Sequence, residues 1–131
     1  MEDTRRILII EDNQSFRVLM NHFLSKSYQV VTKCDGLSAM KWLRQGNQTD
    51  LILLDLGMPL MTGKDFLMGL KSSGFFQHIP VIIVSGNNPA TFTTSAMNDI
   101  QYYFEKPFDP VKLREKIEQI FTEKANSISF H

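Results

Sequence analysis

The sequence predicts an α/β fold, a single doubly wound parallel sheet of five strands with five helices. Three observations carry this. Short apolar runs alternate with segments of helical period, five times over. The strongest runs, ILII, LILL and VIIV, are apolar throughout and not at every second position, as expected of strands covered on both faces. The length, 131 residues, suits one compact domain and leaves little for a second. Residues 1–124 are accordingly read as the domain and 125–131 as a C-terminal tail or linker stub.

The first strand is Ile7–Ile10, ended by Glu11-Asp12. Phe16, Leu19, Met20, Phe23 and Leu24 then recur at the spacing of one helix face, with Asp12 or Asn13 as the cap. Tyr28–Cys34 is β-branched and reads as a second, less buried strand. After the turn at Asp35-Gly36, Leu37, Met40 and Leu43 form a short helical stripe that stops at Gly46. Leu51–Asp55 is the third strand, broken off by Gly57 and Pro59. A third helix over 63–71 turns Phe66, Leu67 and Leu70 inward. Val81–Ser85 is the fourth strand, entered from Pro80.

The stretch NNPATFTTSAMNDI holds the fourth helix. It is rich in Thr and Asn, which are weak helix formers, and this predicts a loosely held element. Tyr102–Glu105 is a short fifth strand. Asp109-Pro110 is an N-cap with Pro at the first helical position, and Leu113, Ile117, Ile120 and Phe121 line the last helix. NSISFH reads as a frayed tail.

Composition narrows the function. The chain is 43% hydrophobic and 21% charged, which fits a globule and not a disordered chain. Formal net charge is zero, without the basic excess of a nucleic-acid binder, so no direct nucleic-acid binding is expected. The single cysteine, Cys34, permits no internal disulfide and reads as a half-buried strand thiol. No run is long enough for a membrane span or a signal-peptide core, and a cytoplasmic location is the expectation.

In such sheets polar chemistry gathers at the carboxyl ends of the strands. The first strand ends in Glu11-Asp12, the third in Asp55 and the fourth in Ser85, and Lys106-Pro107 follows the fifth. Each alone has an ordinary role: Asp as a helix cap, Ser as a strand end, Lys as a solvated charge. Together they bring three carboxylates, a hydroxyl and an ammonium to one rim. Two carboxylates about 4 Å apart repel by roughly 4 kcal/mol at an effective dielectric near 20. Three of them call for a counter-charge, from Lys106 and a divalent cation such as Mg²⁺, or Mn²⁺. That arrangement suits phosphoryl transfer with a carboxylate as nucleophile.

The acidic pair, LLDLGMPLMTG around the third strand, the serine ending the fourth and EKPF after the fifth resemble the receiver domain of two-component response regulators, of the chemotaxis-regulator type. The likeness covers 6–121. It implies the flavodoxin-like strand order 2-1-3-4-5. It implies Asp55 as phosphoacceptor. Glu11, Asp12, Asp55 and the backbone carbonyl of Gly57 would hold the metal. Ser85 would be the switch hydroxyl, Tyr103 the switch aromatic, and Lys106 the lysine that pairs with the carboxylate or its phosphoryl group. A cis Lys106–Pro107 bond is implied as well. The implied partners are a sensor histidine kinase or phosphotransfer protein, and the implied output face is the fourth helix, fifth strand and fifth helix, able to pair with a second copy. On this likeness the chain is no enzyme beyond catalysing its own phosphorylation and dephosphorylation.

Two departures stand out. Gly57 replaces a larger side chain, and with Asn87 it would flank a hydrolytic water. Asp99-Ile100 stands where relatives carry Gly-Ala.

Three rivals fit less well. A haloacid-dehalogenase-type phosphatase wants a second carboxylate at 57, which is Gly. A flavodoxin-type nucleotide or flavin module wants a Gly-, Ser- or Thr-rich loop after the first strand, where EDNQS stands. A degenerate receiver kept only for binding would lack one of the acids, the acceptor or the lysine, and all are present. His22, His78 and His131 have no metal-ligand spacing, and none is placed as a phosphodonor.

Overall fold

The computed structural model describes residues 5–56, 63–86 and 102–129. The described elements are β1 (Arg6–Ile10), α1 (Gln14–Leu24), β2 (Gln29–Lys33), α2 (Gly36–Arg44), β3 (Leu51–Leu54), α3 (Gly63–Lys71), β4 (Val81–Ser85), β5 (Tyr102–Glu105) and α4 (Pro110–Ser129). All strand pairs are parallel and the order is β2-β1-β3-β4-β5, as the sequence resemblance implied. Four helices fall among the described residues. The expected helix between β4 and β5, together with Gly57, Asn87 and Asp99-Ile100, lies outside them.

The unbroken apolar runs have the expected cause. Side chains alternate across each central strand, and both faces are covered. Leu8, Ile10, Ile52, Leu54, Val81 and Ile83 pack with Ala39, Met40 and Leu43 of α2 and Phe66, Leu67 and Leu70 of α3. Ile7, Ile9, Leu51, Leu53, Ile82 and Val84 pack with Met20 and Leu24 of α1 and Leu113, Ile117, Ile120 and Phe121 of α4.

The caps settle choices that the sequence left open. Asn13, not Asp12, caps α1: its side chain accepts from the Phe16 amide at 2.8 Å. Asp12 is thereby left free for other work. Asp35 caps α2, accepting from the Ser38 amide at 2.7 Å, and that bond lowers its pKa. Gly46, past the end of α2, has φ +96°, a conformation that favours glycine. Asp109 accepts from the Val111 amide at 3.0 Å and opens α4 behind Pro110.

Some expectations need correction. Cys34 is exposed, not half-buried, because β2 is an edge strand that ends at Lys33. Leu19 and Leu37 are exposed rather than inward. At 100° per residue, Leu19 sits roughly 120° around α1 from the midpoint of Met20 and Leu24, off the buried face. Leu37 lies in the first turn of α2, where Ala39, Met40 and Leu43 take the core. Helix α4 continues to Ser129 through the stretch read as a frayed tail, since nothing between Val111 and Ser129 is a Gly or Pro.

Candidate functional site

Strand register builds the site. Ile10 pairs with Leu54 and Leu54 with Ile83, so β1, β3 and β4 end at nearly the same level. Asp55 continues the ladder one residue past β3, its amide donating to the Ile10 carbonyl at 3.0 Å. Glu11 does the same past β1, its amide donating to the Lys33 carbonyl at 3.0 Å. Lys106 donates its amide to the Ser85 carbonyl at 2.8 Å, which ties the end of β5 to the end of β4. Backbone bonds of the sheet thus fix Glu11, Asp55, Ser85 and Lys106 at one rim.

Their side chains converge. Glu11, Asp12 and Asp55 each offer a carboxylate oxygen, and the three oxygens lie within 4.8 Å of one another. Asp12 is exposed while Glu11 and Asp55 are buried, at 1% and 7% exposure. Three hard oxygen donors at this spacing fit a small divalent cation that keeps several waters, Mg²⁺ or Mn²⁺. Ser85 is buried. The bond Lys106–Pro107 is cis, as the resemblance implied. The Gly57 carbonyl, expected to complete the ligand set, lies outside the described residues.

The lysine is engaged in a specific way. Lys106 Nζ donates to Glu11 Oε1 at 2.7 Å, and the other oxygen, Oε2, accepts from the Asn13 amide at 3.1 Å. Lys106 thus brings its positive charge to Glu11, at the rim that Glu11 shares with Asp12 and Asp55. Burial nevertheless dominates at Glu11 and raises its pKa from 4.5 to about 7; the Lys106 and Asn13 bonds lower it, and the charge of Asp55 adds to the rise. The folded pKa exceeds the unfolded one, so the stability contributed by the protonated carboxyl is full below pH 4.5 and is lost as pH rises to about 7. Metal-free protein should lose on the order of 2 kcal/mol of stability over that interval. Urea melts at pH 4.5, 6 and 7.5 measure the loss, and Mg²⁺ should restore stability most at the highest pH, because it competes with that proton. A metal-free profile that is flat, or rises, across this window contradicts the expectation.

Tyr103 sits in β5, registered with Ile83 of β4, and packs against the α2/α3 side of the core. Its hydroxyl oxygen is buried. Burial raises the phenol's pKa; the Ser85 side chain pulls it down, and the charges of Glu105 and Asp55 push it further up. The predicted switch pair is thus adjacent in space.

Two site residues are not legible in the sequence. Phe16 presents its ring to Lys106, with Nζ 4.2 Å from the centroid. Arg17 Nη1 donates to the Glu11 carbonyl at 2.8 Å. In the sequence Phe16 is simply part of an amphipathic stripe and Arg17 a surface charge; no local pattern marks either one. His22 is exposed on α1, and His78 lines a cleft near Thr49 and Asp50, at the opposite rim.

Comparison with known proteins agrees with this geometry. The family model described as the response regulator receiver domain matches residues 7–118. The chemotaxis protein CheY of Pseudomonas aeruginosa is 32% identical over 119 residues, covering 88% of this chain and 95% of that one. The sensor histidine kinase TmoS of Ectopseudomonas mendocina is 31% identical over 123 residues, covering 93% of this chain; the match spans only 12% of the kinase. The crystal structure of the phosphorylated cyanobacterial phytochrome response regulator RcpA superposes with a TM-score of 0.76 at 28% identity, covering 90% of this chain and 91% of that one. No helix among the described residues is long and apolar enough to cross a membrane. With the sheet order, the acidic cluster and a family match over most of its length, the chain belongs to the response regulator receiver domains, the modules of two-component phosphorelay signalling.

Proposed function

We propose that this domain takes a phosphoryl group onto Asp55 from the phosphohistidine of a sensor kinase or phosphotransfer protein, in the cytoplasm. The observation that carries it is the convergence of the Glu11, Asp12 and Asp55 oxygens within 4.8 Å, beside a lysine bound to Glu11. The backbone ladder holds the Asp55 carboxylate for in-line attack. Its oxygen would bond to phosphorus while the P–N bond breaks, and the departing imidazole nitrogen keeps the electron pair and takes up a proton. A Mg²⁺ or Mn²⁺ ion held by Glu11, Asp12, Asp55 and the Gly57 carbonyl would supply positive charge for the transferring oxygens. Lys106 would supply the rest. In the hydrolytic phase a water oxygen bonds to phosphorus and gives up a proton to solvent, the aspartyl P–O bond breaks, inorganic phosphate departs, and Asp55 returns to a carboxylate. The domain would thus catalyse only its own phosphorylation and dephosphorylation.

The phosphoryl group adds about 1.5 to 2 negative charges. Ser85 would turn its hydroxyl to a phosphoryl oxygen, and Tyr103 would move with it. Ser85, buried at the end of β4, and the buried Tyr103 hydroxyl beside it support such a coupled motion. Segment 87–101, β5 and α4 would form the output face, which could pair with a second copy or dock a downstream partner. RcpA has been solved in a phosphorylated form, and its likeness to this chain supports the same chemistry here.

Incubation with acetyl phosphate and Mg²⁺, followed by intact mass, is the test. A phosphoryl adduct on wild type that is absent from Asp55→Ala is the expected result. Equal labelling of both proteins overturns the assignment of Asp55.

A further inference from the structure

We propose that Phe16 is a positioning residue for Lys106: its ring holds the ammonium at the mouth of the site while leaving it able to pass between Glu11 and a phosphoryl oxygen. The inference rests on the phosphoacceptor reading of Asp55 given above, and its test separates the two.

Lys106 Nζ lies 4.2 Å from the Phe16 centroid, inside the range of a cation–π contact, and 2.7 Å from Glu11 Oε1. The side chain of Lys106 is 24% exposed. A long flexible stem in that position has rotamers that point to water, and ordering it carries an entropy cost. Two anchors of different kinds reduce that freedom, one a carboxylate and the other an aromatic face.

The ring is itself well placed. The amide of Phe16 is fixed by the Asn13 cap at 2.8 Å. Its ring meets Phe108 edge-on, with centroids 5.8 Å apart and planes at 77°. Phe108 stands two residues beyond Lys106 and packs in turn on Phe104 of β5, at 5.5 Å. The β5–α4 connection therefore carries both the lysine and the ring that braces Phe16 of α1.

An aromatic ring suits this task better than an acceptor or an aliphatic chain. It attracts the cation through its quadrupole but offers no lone pair to compete with Glu11 or with a phosphoryl oxygen. It also covers one side of the ammonium from water, which strengthens the charge interactions on the other. Asn or Asp at position 16 would trap the ammonium; Leu would pack on the stem without attracting the head.

Two readouts on the full chain test this. In the absence of phosphodonor and metal, lysine acylation by acetic anhydride is followed peptide by peptide. Phe16→Leu should raise labelling of Lys106 about three- to tenfold relative to the other lysines, while Phe16→Tyr stays near wild type. With acetyl phosphate and Mg²⁺, adduct formation should slow by about the same factor in Phe16→Leu and recover in Phe16→Tyr. Pentafluorophenylalanine in place of Phe16 keeps the ring shape but reverses its quadrupole, and should behave like the leucine variant. Unchanged labelling of Lys106 in Phe16→Leu overturns the proposal. So does a tyrosine or pentafluoro variant that contradicts the expected order. A wild-type protein that takes no phosphoryl group defeats the phosphoacceptor reading instead, and the acylation result still decides the Phe16–Lys106 contact.

Discussion

Lys106→Met is expected to slow phosphoryl uptake from acetyl phosphate by on the order of a hundredfold, the loss typical when one preorganised positive donor is taken from a transition state. Methionine keeps most of the stem's apolar length and removes the ammonium. Glu11, only 1% exposed, then loses its ion pair and keeps the Asn13 amide. Two influences that hold its pKa down disappear with the lysine, so the carboxyl shifts upward and carries a proton at neutral pH. The stability cost therefore depends on pH. At pH 8, where protons are scarce and neutralising the acid is costly, about 2 kcal/mol should be lost, below the range for fully buried pairs because Lys106 is partly exposed. At pH 5.5 the neutral acid tolerates the loss better and the difference should shrink. Urea melts of both proteins at the two pH values, with initial rates of adduct formation, measure these effects. A variant with wild-type uptake would remove Lys106 from the chemistry. A stability loss larger at pH 5.5 than at pH 8 would show that the Glu11 pair is not its cause.

The second large effect concerns the core beneath the site. Phe66→Ala should destabilise the domain by about 3 to 5 kcal/mol, the transfer energy of a buried ring plus the cavity it leaves. Phe66 is fully buried on α3 and belongs to the core layer that includes Ile52 and Leu54 of β3 and Ile83 of β4, the strands that lead into Asp55 and Ser85. Phe75→Ala is the companion measurement. That side chain is 83% exposed, and its removal should change stability by no more than about 0.5 kcal/mol. Equal shifts in the urea midpoint for the two variants would contradict the layer assignment. A Phe66→Ala protein that remains folded should also take up phosphoryl groups more slowly, because β3 would no longer be braced from below.

These two phenylalanines show what the chain makes legible. Phe66 falls in register with Leu67 and Leu70, and helical spacing alone turns all three inward. Phe75 stands beside Phe76 in a stretch without period, so only the fold reveals which of them packs against the core. Leu19 and Leu37 mislead for a related reason. Spacing defines a stripe, but the width of stripe that is covered depends on how the helix is seated against the sheet. Cys34 misleads because nothing in its own stretch signals that β2 lies at an edge of the sheet.

By itself the sequence determined the strand–helix alternation, the two-sided burial of β1, β3 and β4, and which strand ends bear acids, a serine or a lysine. Periodicity and residue chemistry are local, and short windows contain them. Only the tertiary structure decided that Asn13 caps α1 and leaves Asp12 to the acidic cluster, that Lys106 reaches Glu11 across 95 residues, and that the ring of Phe16 lies against that lysine. Such pairings depend on strand register and on the approach of the β5–α4 connection to α1. They are set by the joint packing of distant segments, which no local window of the chain records.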